Sequence, residues 1–372
     1  MSDSKKLLVI AGGAYIYGAE KVTLDVIAGL HKQGYEIQSI ISGWNDGAFA
    51  RTLDKLEVKY YPLKLGWYYT SKIRWSLDSL VHYPGALIRF LRIRKQFKDW
   101  PVYIISFRQV ILLWPFFKKN ILYHVHDVNS TSKQGRYFFK IINRKVSRFI
   151  AVSEFIKNDL VACGIAADKI EVIHNGVKII PEIPRRFVAG KTLTVGIAGQ
   201  VIERKGHRVL LQAISLVTKK GLDIALIIAG DGDADFIEKL KKLGTELNIA
   251  EKLNWRGFKK DPLDIYDGID VLIAPTLSPE PFGLITIEAN MLGIPVIATN
   301  SGGFKETVKN GATGFLTEPG NAEHLADRIE YFYNNRESIH EMGISGRKMA
   351  VERFSATLML KSIDKLIAQI SI

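Results

Sequence analysis

The sequence predicts an α/β protein made of two doubly wound units, and three observations carry that reading. Strand-like apolar runs alternate with helical patterns nearly throughout, which implies parallel sheets covered on both faces. The rhythm breaks once, between residues 175 and 190, where Gly176, Pro181 and Pro184 crowd a short stretch. At 372 residues the chain is long enough to bury two cores. Domains are therefore expected at 1–180 and 191–352, with a last helix over 355–372 packing back on the first.

The elements follow in order. Leu7-Leu8-Val9-Ile10-Ala11 reads as a buried first strand, then comes the turn Gly12-Gly13 and a helix from about Ala19 to Gln33. Further strands are expected near 37–41, 102–106, 121–125, 149–152 and 170–173. Ser153 suits the N-cap of the next helix, whose apolar face holds Phe155, Ile156 and Leu160. Past the break, strands return near 193–198, 224–229, 253–256, 271–274 and 296–298. The final helix carries the stripe Leu358, Ile363, Leu366, Ile367 and Ile370. Two such units create a cleft between the carboxyl ends of their sheets, where open α/β sheets bind ligands. A single dinucleotide-binding dehydrogenase is the rival architecture. Its G-x-G-x-x-G turn is absent, since the first turn reads Gly12-Gly13-Ala14-Tyr15-Ile16-Tyr17-Gly18, and no acid closes the second strand.

Composition narrows the class further. No run reaches the roughly 18–20 apolar residues needed to span a bilayer. The longest, from Val110 to Phe117, is flanked by Arg108 and Lys118 and interrupted by Pro115. The start, Met1-Ser2-Asp3-Ser4-Lys5-Lys6, does not resemble a signal peptide. Cys163 is the only cysteine, so no internal disulfide forms, and it reads as a packing residue in a chain suited to a reducing cytoplasm. The net charge of +13 is uneven: residues 1–190 hold 29 Lys and Arg against 15 Asp and Glu, whereas 191–372 hold 22 against 23. Within 51–148 the balance is 20 basic to 5 acidic, interleaved with Trp67, Tyr68, Tyr69, Trp75, Tyr83, Phe90, Trp100, Trp114, Phe116 and Phe117. Basic surface with aromatics suits an anionic membrane surface or an acidic acceptor, and implies a cytoplasmic protein peripheral at the inner face of the membrane. A solvated face is the plainer alternative, and nucleic acid the weaker one.

The most informative stretch is Glu280-Pro281-Phe282-Gly283-Leu284-Ile285-Thr286-Ile287-Glu288, two carboxylates with seven residues between them. It lies between the apolar runs 271–275 and 294–298, so one acid falls on a loop and the other on a helix running from Gly283 to about Met291. The first N–H groups of a helix lack internal partners and sit at its positive end, which suits a phosphate. Glu288 lies roughly 7.5 Å further along the axis, at about 1.5 Å per residue. There it can accept both hydroxyls of a ribose, while Glu280 accepts from a sugar; ionised carboxylates are acceptors only. Capping or solvation of an ordinary helix is the bland alternative.

Other segments converge with this one. Gly199-Gln200-Val201-Ile202-Glu203-Arg204-Lys205-Gly206 is a second strand–turn–helix anion site, with Lys205 near the helix start. Ile227-Ile228-Ala229-Gly230-Asp231-Gly232 is a third strand end, and Asn300-Ser301-Gly302-Gly303-Phe304-Lys305-Glu306 follows the strand after the two acids. Together these resemble the retaining glycosyltransferases of the GT-B fold, family 4, whose architecture is two Rossmann-like doubly wound domains facing a cleft. The resemblance spans nearly the whole chain and is strongest over 191–320.

What that resemblance implies is specific. Glu280 would hold the donor sugar and Glu288 the ribose. Phe282, Gly283 and Leu284 would offer backbone amides to the diphosphate and sugar, Lys205 would hold the distal phosphate, and Phe258 would sit by the nucleotide base. His124-Val125-His126-Asp127 resembles the family's strand-end His-Asp, placing His126 near the reacting sugar, and Gly18-Ala19-Glu20-Lys21 resembles its helix start, placing Gly18 near the phosphates. The implied activity is retaining transfer of a hexose from a UDP- or GDP-sugar to a lipid-linked or cell-envelope saccharide, with the nucleotide sugar as substrate and no metal or other cofactor. No nucleic-acid partner is expected. The alternatives are a sugar phosphorylase or nucleotide-sugar epimerase of the same fold, or a non-catalytic basic binding module.

Two positions depart from the family pattern. Gln200 stands where arginine is common, so Arg204 substitutes only if its turn aims it inward, and Tyr17 replaces a loop glycine. Asp231-Gly232-Asp233 has the form of a metal-binding D-x-D but follows a buried strand, so a turn is the better reading. His124 and His126 share one face of a strand without a third ligand in view, which favours a satisfied buried His124 and a polar His126 at the strand tip. His174 reads as structural.

Overall fold

Parallel sheets covered on both faces need strands that are apolar along their whole length, and the chain supplies them. The computed structural model describes residues 5–11, 13, 15–64, 73–105, 113–117, 120–180 and 192–370. Gly12, Ala14, the aromatics Trp67, Tyr68 and Tyr69, the stretch 106–112 with Arg108, Lys118, and the break residues Pro181 and Pro184 lie outside them. Contacts divide the chain into one unit of residues 1–176 and 356–372 and another of residues 177–355.

In the first unit, strand β1 (Lys6–Ala11) is followed by helix α1 (Gly18–Lys32), β2 (Glu36–Ser42), α2 (Ala48–Lys55), β3 (Lys59–Leu63) and α3 (Ile73–Gln96). Then come β4 (Val102–Ile104), β5 (Ile121–Val125), α4 (Lys133–Ile142), β6 (Val146–Ala151), α5 (Glu154–Ala162) and β7 (Ile170–Val172). The strands form one parallel sheet in the order β3-β2-β1-β4-β5-β6-β7. Leu7, Leu8, Val9 and Ile10 are fully buried in its centre. Burial of that kind stabilises by roughly 1.5–3 kcal/mol per large aliphatic side chain. The order reverses between β1 and β4; Gly18 opens the helix that follows β1, and His126 follows β5. Ser153 caps α5 as expected, accepting from the Ile156 N–H at 3.1 Å.

The second unit continues with β8 (Leu193–Ala198), α6 (His207–Lys219), β9 (Ile224–Ala229), α7 (Ala234–Glu246), β10 (Leu253–Gly257) and α8 (Pro262–Tyr266). It is completed by β11 (Val271–Ala274), α9 (Leu284–Met291), β12 (Val296–Thr299), α10 (Phe304–Thr307), β13 (Gly314–Thr317), α11 (Ala322–Asn334) and α12 (Glu337–Phe354). Its parallel sheet runs β10-β9-β8-β11-β12-β13, again doubly wound, with the reversal between β8 and β11. The turns after these two strands carry Lys205 and Glu280, so the topology alone brings both to the binding end of the sheet.

Helix α13 (Ala356–Ile370) returns to the first unit. Ile363, Leu366, Ile367 and Ile370 of the expected stripe are buried, and Met359 takes the place of Leu358, which faces solvent. Gly29 of α1 admits the helix, because a Cβ there would lie 2.3 Å from Leu360 Cδ1. Asp364 fastens the contact, accepting from the Tyr35 hydroxyl at 2.5 Å and from Lys5 Nζ at 2.8 Å. Burial alone would raise the Asp364 carboxyl; the bonds from Lys5 and Tyr35 outweigh it and hold the pKa below the ordinary 3.8. A depressed carboxyl stabilises the fold above its unfolded pKa and loses that contribution as pH falls through the lowered value. Asp364→Ala is therefore expected to cost about 1 kcal/mol at neutral pH, with partly exposed partners limiting the effect. In thermal melts the difference from the native chain should vanish once pH drops below the lowered value.

Candidate functional site

The turn after β8 is built so that its cations face the loop after β11. Gly206 has φ +75°, and a Cβ on it would lie 1.9 Å from the Pro275 carbonyl oxygen, so only glycine fits this close approach. The Leu277 N–H donates to the Arg204 carbonyl at 2.8 Å, tying the two loops together. Lys205 Nζ then donates to both Glu280 oxygens, at 3.0 and 2.9 Å, and Arg204 Nη1 donates to Oε2 at 3.2 Å. The turn therefore aims Arg204 at Glu280, with much of its side chain left in solvent. Lys205 and Glu280 are about 14–15 % exposed and Arg204 45 %. Burial lowers the Lys205 pKa from its ordinary 10.5, Glu280 pulls it back up, and Arg204 adds to the lowering. Two cations on one carboxylate leave a positive charge for an incoming anion.

The loop holding Glu280 rests on the turn after β12. The Gly303 N–H donates to the Glu280 carbonyl at 2.8 Å, and a Cβ on Gly302 would come 2.3 Å from that oxygen. A Cβ on Gly303 would lie 2.5 Å from Phe282 Cα and 2.7 Å from two carbonyl oxygens, all main chain. Gly303 has an ordinary helical φ of −67°, so a substitution there tests space alone. Gly303→Ala is expected to destabilise by about 2 kcal/mol through overpacking, visible as a lower Tm.

Gly283, with φ +103°, is the residue before α9 rather than its first turn. Phe282 is buried, edge-on to Phe354 at 5.7 Å, and Leu284 is half-buried at the helix start. In the second turn Glu288 is buried, and its Oε2 accepts from the Tyr266 hydroxyl at 3.0 Å. The same hydroxyl lies 3.2 Å from the Ile285 carbonyl. Burial, and then Glu288, keep the Tyr266 phenol protonated and hence a donor. Tyr266 escaped sequence analysis, because a tyrosine ending a short helix before a strand carries no spacing signal.

Gln200, half-buried, opens the same turn, its carbonyl accepting from the Ile202 N–H at 3.1 Å. Phe258 stands apart, 72 % exposed on the loop after β10, with no hydrogen bond or ring contact to these groups among the described residues. Asp231-Gly232-Asp233 is a turn: Val201 N–H donates to Asp231 O at 2.8 Å, and Asp233 caps α7 through Phe236 N–H at 3.1 Å. Among the described residues no three His, Cys, Asp or Glu side chains converge as a metal site.

In the first unit, Gly18 opens α1. The Glu20 carboxylate reaches back to the Tyr17 N–H at 3.2 Å, and Gly13 leaves room for it, since a Cβ there would lie 2.3 Å from Glu20 Oε1. His126 follows β5 directly, with its Nε2 buried and without a hydrogen-bond partner among the described residues. Burial pushes its pKa down to about 4, so the ring is neutral at pH 7. His124 is only half satisfied, contrary to expectation. Its Nδ1 lies 2.5 Å from the buried Tyr103 hydroxyl, while its Nε2 has no partner among the described residues. Burial keeps the Tyr103 phenol protonated and the His124 ring neutral, so the two share one hydrogen bond between the hydroxyl and Nδ1. The loop after His126 is anchored by Asp159, which accepts from Asn129 N–H at 2.8 Å, Ser130 N–H at 3.1 Å and Ser130 Oγ at 2.5 Å. Nothing in the sequence marked Asp159 for that role.

Residues 16–179 match the sequence model of Glycosyltransferase Family 4, and residues 180–349 that of Glycosyl transferases group 1. The chain belongs to the family 4 glycosyltransferases. Among curated members it is 27 % identical over 256 residues to the capsular polysaccharide biosynthesis glycosyltransferase CapM of Staphylococcus aureus, covering 63 % of this chain and 66 % of CapM. It is 29 % identical over 194 residues to a GDP-mannose-dependent alpha-(1-6)-phosphatidylinositol monomannoside mannosyltransferase of Mycobacterium tuberculosis, covering half of each chain. The chain thus matches just under two thirds of CapM's length and half of the mannosyltransferase's. Among solved structures, a glycosyltransferase from Rickettsia africae superposes with a TM-score of 0.83 at 24 % identity over 99 % of both chains. Anabaena HepE in complex with UDP and glucose gives 0.81 at 20 % identity, over 98 % of this family member and 99 % of HepE. At such identities the likeness establishes the GT-B fold.

Proposed function

We propose that the chain is a retaining glycosyltransferase that moves a hexose from a UDP- or GDP-sugar to a lipid-linked or cell-envelope saccharide at an anionic membrane surface. The observation that carries this reading is the pairing of Lys205 and Arg204 on Glu280 beside the open start of α9, one turn before the buried, Tyr266-held Glu288. A diphosphate entering there meets two cations and the helix amides, and releases Glu280 to accept from sugar hydroxyls. Glu288 accepts the ribose hydroxyls. As the bond from the anomeric carbon to the diphosphate breaks, negative charge grows on the leaving group, and Lys205 with the helix start stabilises it. Neutral His126 would donate to or accept from the reacting sugar, and Gly18 would leave space near the phosphates. The cations take the part a metal plays elsewhere, so no cofactor is required. Names of the relatives support the donor and acceptor classes: HepE was solved with UDP and glucose, and CapM is a capsular polysaccharide enzyme.

The test is a thermal-shift screen against UDP-, GDP- and ADP-sugars in buffer containing EDTA. One UDP or GDP sugar is expected to raise Tm, because a ligand that binds only the native state at about 100 times its Kd adds about 2.7 kcal/mol. No shift with any of them, or a shift only after a divalent metal is returned, would overturn the reading. Retention is checked separately by proton NMR of the first product, which should keep the donor's anomeric configuration.

A further inference from the structure

We infer that the outer face of α3 docks on an anionic lipid bilayer. The inference deepens the membrane partner proposed above, yet rests on residues of the first unit that take no part in the donor site. One side of α3 is packed: Ser79, Ala86, Phe90 and Ile93 are buried, and Phe90 meets Phe117 edge-on at 5.4 Å. The opposite side carries Leu77, Leu80, Val81, Ile88 and Leu91, each between 41 and 76 % exposed. At about 100° per residue these five fall within an arc of roughly 100°, and they extend about 21 Å along the axis. A packed surface helix ordinarily turns polar residues outward. A continuous exposed aliphatic stripe of this length marks a binding surface.

Charge selects the occupant. Arg89, Arg92, Lys95 and Lys98 are exposed on the C-terminal half of the same helix and just past its end. The acids nearby are already engaged: Asp78 accepts from Trp44 Nε1 at 3.0 Å and lies 3.4 Å from His82, and Asp99 lies 3.9 Å from Lys98. The surrounding segment 51–148 is basic by 20 residues to 5. Anionic headgroups over an acyl interior match aliphatic side chains flanked by arginine and lysine. A second copy of the chain would instead set this basic end against a helix whose one acid is Asp78, with Asp99 just past its end.

The experiment is co-sedimentation of the full chain with vesicles of phosphatidylcholine, alone or with roughly 30 % phosphatidylglycerol, at low and high salt. The native chain is expected on the anionic vesicles only, and less at high salt. The variant Leu80→Ser/Val81→Ser/Ile88→Ser should lose at least about tenfold in partitioning through lost apolar burial. Arg89→Gln/Arg92→Gln/Lys95→Gln should lose about fivefold per charge removed. Both variants alter exposed side chains and should keep the native Tm and the native nucleotide-sugar shift, so failure of the donor reading and failure of lipid docking are read separately. Equal partitioning of native chain and both variants overturns the inference. So does sedimentation velocity showing that the aliphatic variant abolishes self-association while vesicle binding is unchanged, which would make the face an interface between copies.

Discussion

Lys205→Ala is expected to slow sugar transfer at saturating donor by about 10²–10³-fold. Lys205 donates two bonds to Glu280 from a mostly buried position, where a charge acts through little water. Its loss removes the cation that opposes charge growing on the departing diphosphate, an interaction stronger in the transition state than in the bound donor. Arg204 stays on Glu280 but is far more exposed, so it compensates only in part, and Arg204→Ala should cost less. The lysine must be protonated to act, and burial holds its pKa below 10.5. The basic limb of kcat/KM for the native chain should therefore fall earlier than an ordinary lysine allows, and Lys205→Ala should flatten it. Single-turnover rates over a pH series check both effects. A native rate in the variant removes Lys205 from the mechanism.

Glu288→Ala is expected to act on binding rather than on chemistry. The carboxylate is buried and fixed by Tyr266, so it is preorganised for neutral hydroxyl donors. A hydrogen bond to a charged group contributes about 1.5–3 kcal/mol, so donor KM should rise about 10–100-fold with a smaller change in kcat. Glu288→Gln keeps one acceptor oxygen and should fall between the two. The truncated site still offers the Tyr266 hydroxyl the Ile285 carbonyl at 3.2 Å, so stability should change little. Steady-state kinetics with the donor identified by thermal shift separates these outcomes from simple misfolding.

Much of the fold was legible because buried parallel strands read as continuous apolar runs. Val271-Leu272-Ile273-Ala274 and Leu7-Leu8-Val9-Ile10 are such strands, and both are fully buried. The strands that went unread are edge strands: β3, with Tyr60, Tyr61 and Pro62, and β13, four residues long. Edge positions are paired on one side only, so they need no apolar run and tolerate proline. Helix α3 went unread for the opposite reason. Aliphatic side chains on both its buried and exposed faces blur the 3.6-residue period, and Pro84 interrupts it.

The site shows the same division. Glu280, Glu288 and Lys205 stood out through local spacing and resemblance. That Lys205 and Arg204 converge on Glu280 is a contact between residues 75 and 76 positions apart, which no local pattern encodes. Gly302 and Gly303 were visible as a turn, but their purpose, the close passage of the Glu280–Phe282 main chain, is a property of packing. Tyr266 and Asp159 likewise act on groups 22 and 30 residues away and look like ordinary core and surface residues in sequence.

The most direct measurement is calorimetric titration of UDP and GDP into the native chain, Lys205→Ala and Glu288→Ala. The account predicts one nucleotide site per native chain, for one of the two nucleotides, weakened about 10-fold or more by each substitution with the fold intact. Undiminished nucleotide binding in both variants would contradict it.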